Sequence, residues 1–132
     1  MCFKGSRILV VDDLADNLFL VQAILEAEGY CVETAESGTQ ALEKVKLAPP
    51  DLILLDVMMP GVNGYEVTRR IRQNRQIPFI PILLLTAHNH VSAAEGLNVG
   101  ANDFIYKPIN LDELLARVKA FLRLKRDLST QR

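Results

Sequence analysis

Leu52-Ile53-Leu54-Leu55-Asp56, preceded by Asp51 and followed by Val57-Met58-Met59-Pro60-Gly61, decides the fold. Four apolar residues with no polar alternation read as a strand buried on both faces, as in a parallel sheet covered by helices. An aspartate closes the run. The same pattern stands at Ile8-Leu9-Val10-Val11, closed by Asp12-Asp13, and at Ile80-Pro81-Ile82-Leu83-Leu84-Leu85, closed by Thr86. Pro81 is tolerable near the start of its strand. Cys31-Val32-Glu33-Thr34 is shorter and mixed, which suits an edge strand. Asp103-Phe104-Ile105-Tyr106 is a fifth strand, shut off by Lys107-Pro108.

Helical patterns fill the intervals. Leu14, Leu18, Val21 and Leu25 recur at steps of three and four, and Gly29 stops that helix. Ser37 caps a second helix with Ala41, Leu42 and Val45 inward, ended by Pro49-Pro50. After the loop Pro60-Gly61-Val62-Asn63-Gly64, Tyr65, Val67 and Ile71 mark a third. Val91 to Val99 reads as a short fourth helix ending at Gly100. Asn110 caps a fifth, with Leu111, Leu114, Leu115, Val118, Phe121 and Leu122 on its apolar face. Five strands alternating with five helices imply parallel strands and right-handed crossovers. The expected architecture is α/β: a flavodoxin-like, doubly wound, five-stranded sheet of order 2-1-3-4-5. Ligands of such sheets bind beyond the carboxyl ends of the strands, at the switch point between the first and third.

Composition narrows the class without naming a function. The chain has 132 residues, 49% hydrophobic, enough for one domain with a real core. Fifteen Lys+Arg against sixteen Asp+Glu give a net charge of −1, too balanced for a general nucleic-acid binder. No apolar run approaches the ~20 residues of a membrane span, and the first residues lack the order of a secretory signal. Cys2 and Cys31 are too few for a disulfide scaffold and read as small packing side chains in a reducing, cytoplasmic setting.

The polar residues that close the strands carry the chemistry. If the topology holds, Asp12, Asp13, Asp56, Thr86 and Lys107 converge on one edge of the sheet. Each alone has a plain structural reading, as a cap, a turn residue or a surface lysine. Those readings give no reason for all five to stand at carboxyl ends of successive strands. Crowded carboxylates repel, and a hard divalent cation relieves them. Magnesium takes oxygen ligands and keeps positions free for phosphate oxygens. Lys107 adds a second cation, and Thr86 a hydroxyl donor.

Ile8-Leu9-Val10-Val11-Asp12-Asp13, Leu54-Leu55-Asp56-Val57-Met58-Met59-Pro60-Gly61, Leu85-Thr86-Ala87 and Gly100-Ala101-Asn102-Asp103-Phe104-Ile105-Tyr106-Lys107-Pro108 resemble the receiver domains of two-component response regulators, of the chemotaxis-regulator-like kind. The resemblance runs from about Arg7 to Leu124. It implies a receiver over residues 1–124, free-standing or cut from a longer protein; the helical stripe continuing through 125–132 reads as an extension suited to start a linker to an output domain or to form a dimer. It implies that Asp56 accepts a phosphoryl group from a sensor histidine kinase or phosphotransfer protein. Asp13, Asp56 and the backbone carbonyl of Met58 would bind Mg2+ directly, and Asp12 through water. Thr86 and Lys107 would hold phosphoryl oxygens. The Lys107-Pro108 bond is where the family has a cis peptide. Thr86 and Phe104 would form the switch; a phenylalanine can only pack where many relatives place a tyrosine, and its bare ring favours the interior. Met58, Ala87 and His88 flank the site and would tune the lifetime of the phosphoryl group.

Other features are weaker. His88-Asn89-His90 lacks the third ligand of a usual zinc site. Arg69, Arg70, Arg72 and Arg75 read as a solvated helix face, without the aromatic residues of a nucleic-acid surface. Leu111, Leu114, Val118, Phe121, Lys125 and Leu128 form a heptad-like stripe, suited to a signalling helix or a dimer through the fourth and fifth helices. Two alternatives stand beside the receiver reading. A magnesium-dependent phospho-aspartate phosphatase or phosphotransferase would want a general acid two positions after Asp56 and a cap domain, but Met58 stands there. A constitutive binding module of the same fold would not need the five site residues. Only self-phosphorylation and autodephosphorylation chemistry is expected, rather than turnover of a small substrate.

Overall fold

The computed structural model describes residues 6–87 and 98–130. Five strands, β1 (Arg7–Val11), β2 (Cys31–Ala35), β3 (Leu52–Asp56), β4 (Ile82–Ala87) and β5 (Asp103–Lys107), form one sheet in the order β2-β1-β3-β4-β5. All four neighbouring pairs are parallel. The helices are α1 (Ala15–Ala27), α2 (Gly38–Leu47), α3 (Gly64–Gln73) and α4 (Leu111–Thr130). The described residues thus hold four helices rather than the expected five. The expected helix Val91 to Val99 falls mostly on residues 88–97, outside the described residues.

The wholly apolar strands are central because both of their faces are covered. Leu9, Val11, Ile53, Leu55 and Leu84 pack on one side with α2 and α3 residues Ala41, Val45, Val67 and Ile71. Ile8, Val10, Leu54, Leu83 and Leu85 pack on the other with Leu18, Val21 and Leu25 of α1 and Leu114 and Val118 of α4. Alternate residues of each strand feed opposite layers, as the pleat requires.

The caps behave as expected: Ser37 accepts from the Gln40 amide at 3.1 Å and Asn110 from the Glu113 amide at 2.9 Å. Three expectations need correction. Leu14 is exposed, because it precedes the first turn of α1 instead of joining its inner face. β4 starts at Ile82 rather than Ile80, since Pro81 has no N–H to enter a ladder. Cys31 stands part-exposed at the head of the edge strand and is disulfide-bonded, not a packing thiol.

Candidate functional site

The carboxyl ends of β1 and β3 adjoin at the switch point and bring three carboxylates together. One oxygen of each of Asp12, Asp13 and Asp56 lies within 4.8 Å of the others. Asp12 and Asp56 are buried, while Asp13 is exposed. Local hydrogen bonds aim the groups. The Asp12 amide extends the ladder by donating to the Ala35 carbonyl at 3.1 Å, and Asp12 Oδ1 accepts from the Leu14 amide at 3.0 Å. That small turn starts α1 and leaves Oδ2 for Lys107, whose Nζ is 3.5 Å away. The same ammonium donates to Asp56 Oδ1 at 3.2 Å. Lys107 closes β5, and the bond to Pro108 is cis.

Asp56 is held from behind by α3. A Cβ on Gly64, the first residue of that helix, would stand 2.6 Å from the Asp56 carbonyl oxygen, so only glycine allows this approach. Burial raises the Asp56 pKa above the usual carboxylate value, and Asp12 and Asp13 add repulsion, against which Lys107 pulls it down. Among the described residues one ammonium, that of Lys107, thus pairs with Asp12 and Asp56 in a cluster of three carboxylates. The all-oxygen donor set, its spacing and its unbalanced charge fit a hard divalent cation such as Mg2+.

The other site residues of the sequence reading are placed less directly. Thr86 is buried in β4, one residue past Leu85, which pairs with Asp56. Its hydroxyl donates to the Ala87 carbonyl at 3.3 Å. Phe104 is buried among the α2 and α3 layer, its ring 6.5 Å from that of Tyr106 and nearly parallel to it. Met58 is exposed beside the acids, and Ala87 ends β4. His88 and the rest of His88-Asn89-His90 lie outside the described residues.

Two features escaped the sequence reading. A shallow groove next to the acids is lined by Asn17, Leu20, Lys107, Pro108 and Ile109, with exposed Leu14 at the head of the same helix. The arginine cluster also divides. Arg69 and Arg70 pair with Glu66 on the solvent side, whereas Arg72 turns into the molecule. Glu66 precedes both arginines by three and four positions, a helical pairing signal in the sequence. No comparable signal marks Arg72.

Comparisons with known proteins identify the family. The family model for the response regulator receiver domain matches residues 8–119. The chain belongs to that family, the phosphorylation-dependent signalling receivers of two-component systems. Response regulator PleD of Caulobacter vibrioides is 45% identical over 122 residues, covering 92% of this chain and 27% of that protein. The alkaline phosphatase synthesis transcriptional regulatory protein PhoP of Bacillus subtilis is 46% identical over 120 residues, covering 90% and 49%. The chain thus spans about a quarter to a half of these curated relatives. Among solved structures, a response regulator of Chloroflexus aurantiacus superposes with a TM-score of 0.85 at 38% identity, covering 89% of this chain and 98% of that one. Chemotaxis protein CheY4 of Vibrio cholerae superposes at 0.82 and 37%, covering 88% and 98%. Among the described residues no helix is long and apolar enough to cross a membrane.

Proposed function

We propose that Asp56 is the phosphoacceptor of this receiver and that Asp12, Asp13, Thr86 and Lys107 serve it. The observation that carries this reading is the meeting of Asp12, Asp13, Asp56 and Lys107 at the switch point, with a single ammonium among three carboxylates. A carboxylate oxygen of Asp56 attacks the phosphorus of a donor phosphohistidine. The new O–P bond forms as the P–N bond breaks, and the imidazole leaves with its electron pair. When bound, Mg2+ neutralises charge that develops on the phosphoryl oxygens. Asp13, Asp56 and the Met58 carbonyl would hold it directly, and Asp12 would act through water.

The chain's own residues do the rest by positioning, the main demand of phosphoryl transfer. Lys107 moves its ammonium from Asp56 to a phosphoryl oxygen, so the charge that balances the free carboxylate also balances the product. The Thr86 hydroxyl exchanges its weak bond to Ala87 for a second phosphoryl oxygen. Phe104, already inside, packs behind Thr86 as the apolar part of the switch. Small Ala87 leaves the approach open; Met58, together with His88, which lies outside the described residues, sets the rate of phosphate loss.

The donor is a sensor histidine kinase or phosphotransfer protein, seated on the groove beside Leu14 and Leu20, where apolar surface adjoins the acids. Residues 1–124 are taken as the receiver, and α4 runs past them to Thr130 as an extension suited to a linker or a dimer. The setting is cytoplasmic, where the Cys31 disulfide would be reduced. A phosphorylation-dependent homodimer would use residues 91–99 together with α4; light scattering should show the mass double when beryllofluoride and Mg2+ are added, and an unchanged monomer removes the dimer. The phosphoacceptor is tested with acetyl phosphate and Mg2+. Intact mass spectrometry should show one added phosphoryl group on the wild type and none on Asp56→Asn. An unmodified wild type contradicts the reading.

A further inference from the structure

Arg72 stands in the C-terminal turn of α3, far along the sheet from Asp56, and has no part in the site above. Its half-buried guanidinium satisfies three acceptors from two segments, the lead-in to β4 and the lead-in to β5. Nε donates to the Gly100 carbonyl at 2.8 Å, Nη1 to the Ile80 carbonyl at 2.7 Å and Nη2 to Asn102 Oδ1 at 2.7 Å. The same Asn102 oxygen accepts from the Ile82 amide at 2.9 Å, and the Asn102 amide donates back to the Ile82 carbonyl at 2.9 Å. The cation also lies over the Phe79 ring, 5.2 Å from its centroid. Gly100, at φ +105°, lets the side chain pass: a Cβ there would come within 2.8 Å of Arg72 Cγ. One cation thus ties the lead-in to β4 at Ile80, and through Asn102 the first residue of β4 and the approach to β5, to the end of α3.

All three elements joined here reach the phosphorylation site at their other ends. α3 begins at Gly64, against the Asp56 carbonyl. β4 leads from Ile82 to Thr86, and β5 from Asp103 to Lys107. Four residues of parallel strand cover about 13 Å. A change of register at one end of a paired strand moves every side chain along it, including the one that closes it. The register places Lys107 beside Ala87 and Tyr106 beside Thr86.

We infer that Arg72 is a positioning residue for phosphoryl transfer: it holds β5 against β4 and α3 so that the Lys107 ammonium stands over Asp56. This rests on Asp56 being the phosphoacceptor. A purely scaffolding arginine would alter stability alone, whereas one acting through Lys107 must lose its effect when Lys107 is gone.

The test is a double-mutant cycle on the rate of phosphorylation by acetyl phosphate, read by intact mass in wild type, Arg72→Lys, Lys107→Ala and the double variant. Lysine keeps the charge but cannot reproduce a planar fork reaching three acceptors. With Lys107 present, Arg72→Lys should slow phosphorylation about tenfold, the scale expected of a small misplacement. In the Lys107→Ala background the same change should cost less than about twofold. Equal factors in both backgrounds overturn the inference. If circular dichroism shows that Arg72→Lys does not fold, Asn102→Ala, which removes one acceptor of the clamp, enters the same cycle under the same criterion. A wild type that gains no phosphoryl group overturns the phosphoacceptor reading itself, and this inference with it.

Discussion

Asp56 is a carboxyl kept from water beside two others, with Lys107 as its counter-charge. Its pKa is raised chiefly by burial, then by Asp12, with Lys107 opposing and Asp13 adding a smaller push. A carboxyl whose folded pKa exceeds its unfolded one favours folding most when protonated. That contribution is complete below the unfolded value and is lost as pH rises through the folded one. At neutral pH an ionised Asp56 therefore costs stability. Asp56→Asn, in chelator and without Mg2+, should be more stable than wild type by about 1 kcal/mol at pH 7. The gain should shrink as pH falls through the carboxylate range. Urea titrations across that range check it, and a variant less stable than wild type at pH 7 contradicts it. Asp56 is thus held at a cost, the pattern expected where a site is shaped for chemistry.

At the scale of elements, β1, β3 and β4 are legible in the sequence because burial on both faces leaves an unbroken apolar run that nothing on the surface imitates. Leu84 is fully buried between Leu55 and Phe104 on the neighbouring strands. Leu84→Ala should cost about 2–5 kcal/mol in urea unfolding, as a lost transfer energy plus a cavity; a loss under about 1 kcal/mol would show that the layer collapses around the gap. The site acids were legible for the same reason, since each closes such a run and topology alone brings the runs together. Less was legible where geometry in space decides. Leu14 keeps the helical spacing but stands before the helix that would bury it. Arg72 shares its stretch with solvent-facing arginines, and its acceptors on Ile80, Gly100 and Asn102 are joined to it only by the fold. Lys125, read as part of an apolar stripe, instead reaches back to the Phe79 carbonyl at 2.7 Å.

For the whole molecule the near-neutral charge conceals a separation. Acids gather at the carboxyl edge of the sheet, while residues 117–132 carry six Lys+Arg and one Asp. A cation that binds only the assembled acid cluster must stabilise the folded state by mass action, by about 2.7 kcal/mol at a hundred times its dissociation constant. Mg2+ should accordingly raise the thermal midpoint of the wild type and leave that of Asp13→Asn nearly unmoved; equal shifts in both would place the metal elsewhere. The central claim is narrower still, that one particular carboxylate becomes the acyl phosphate. It is tested most directly by treating the protein with acetyl phosphate and Mg2+, reducing with borohydride, and mapping the peptides by mass spectrometry. Reduction of an aspartyl phosphate leaves homoserine, and the account predicts that conversion at Asp56 alone. Conversion at Asp12 or Asp13, or at no aspartate, would contradict it.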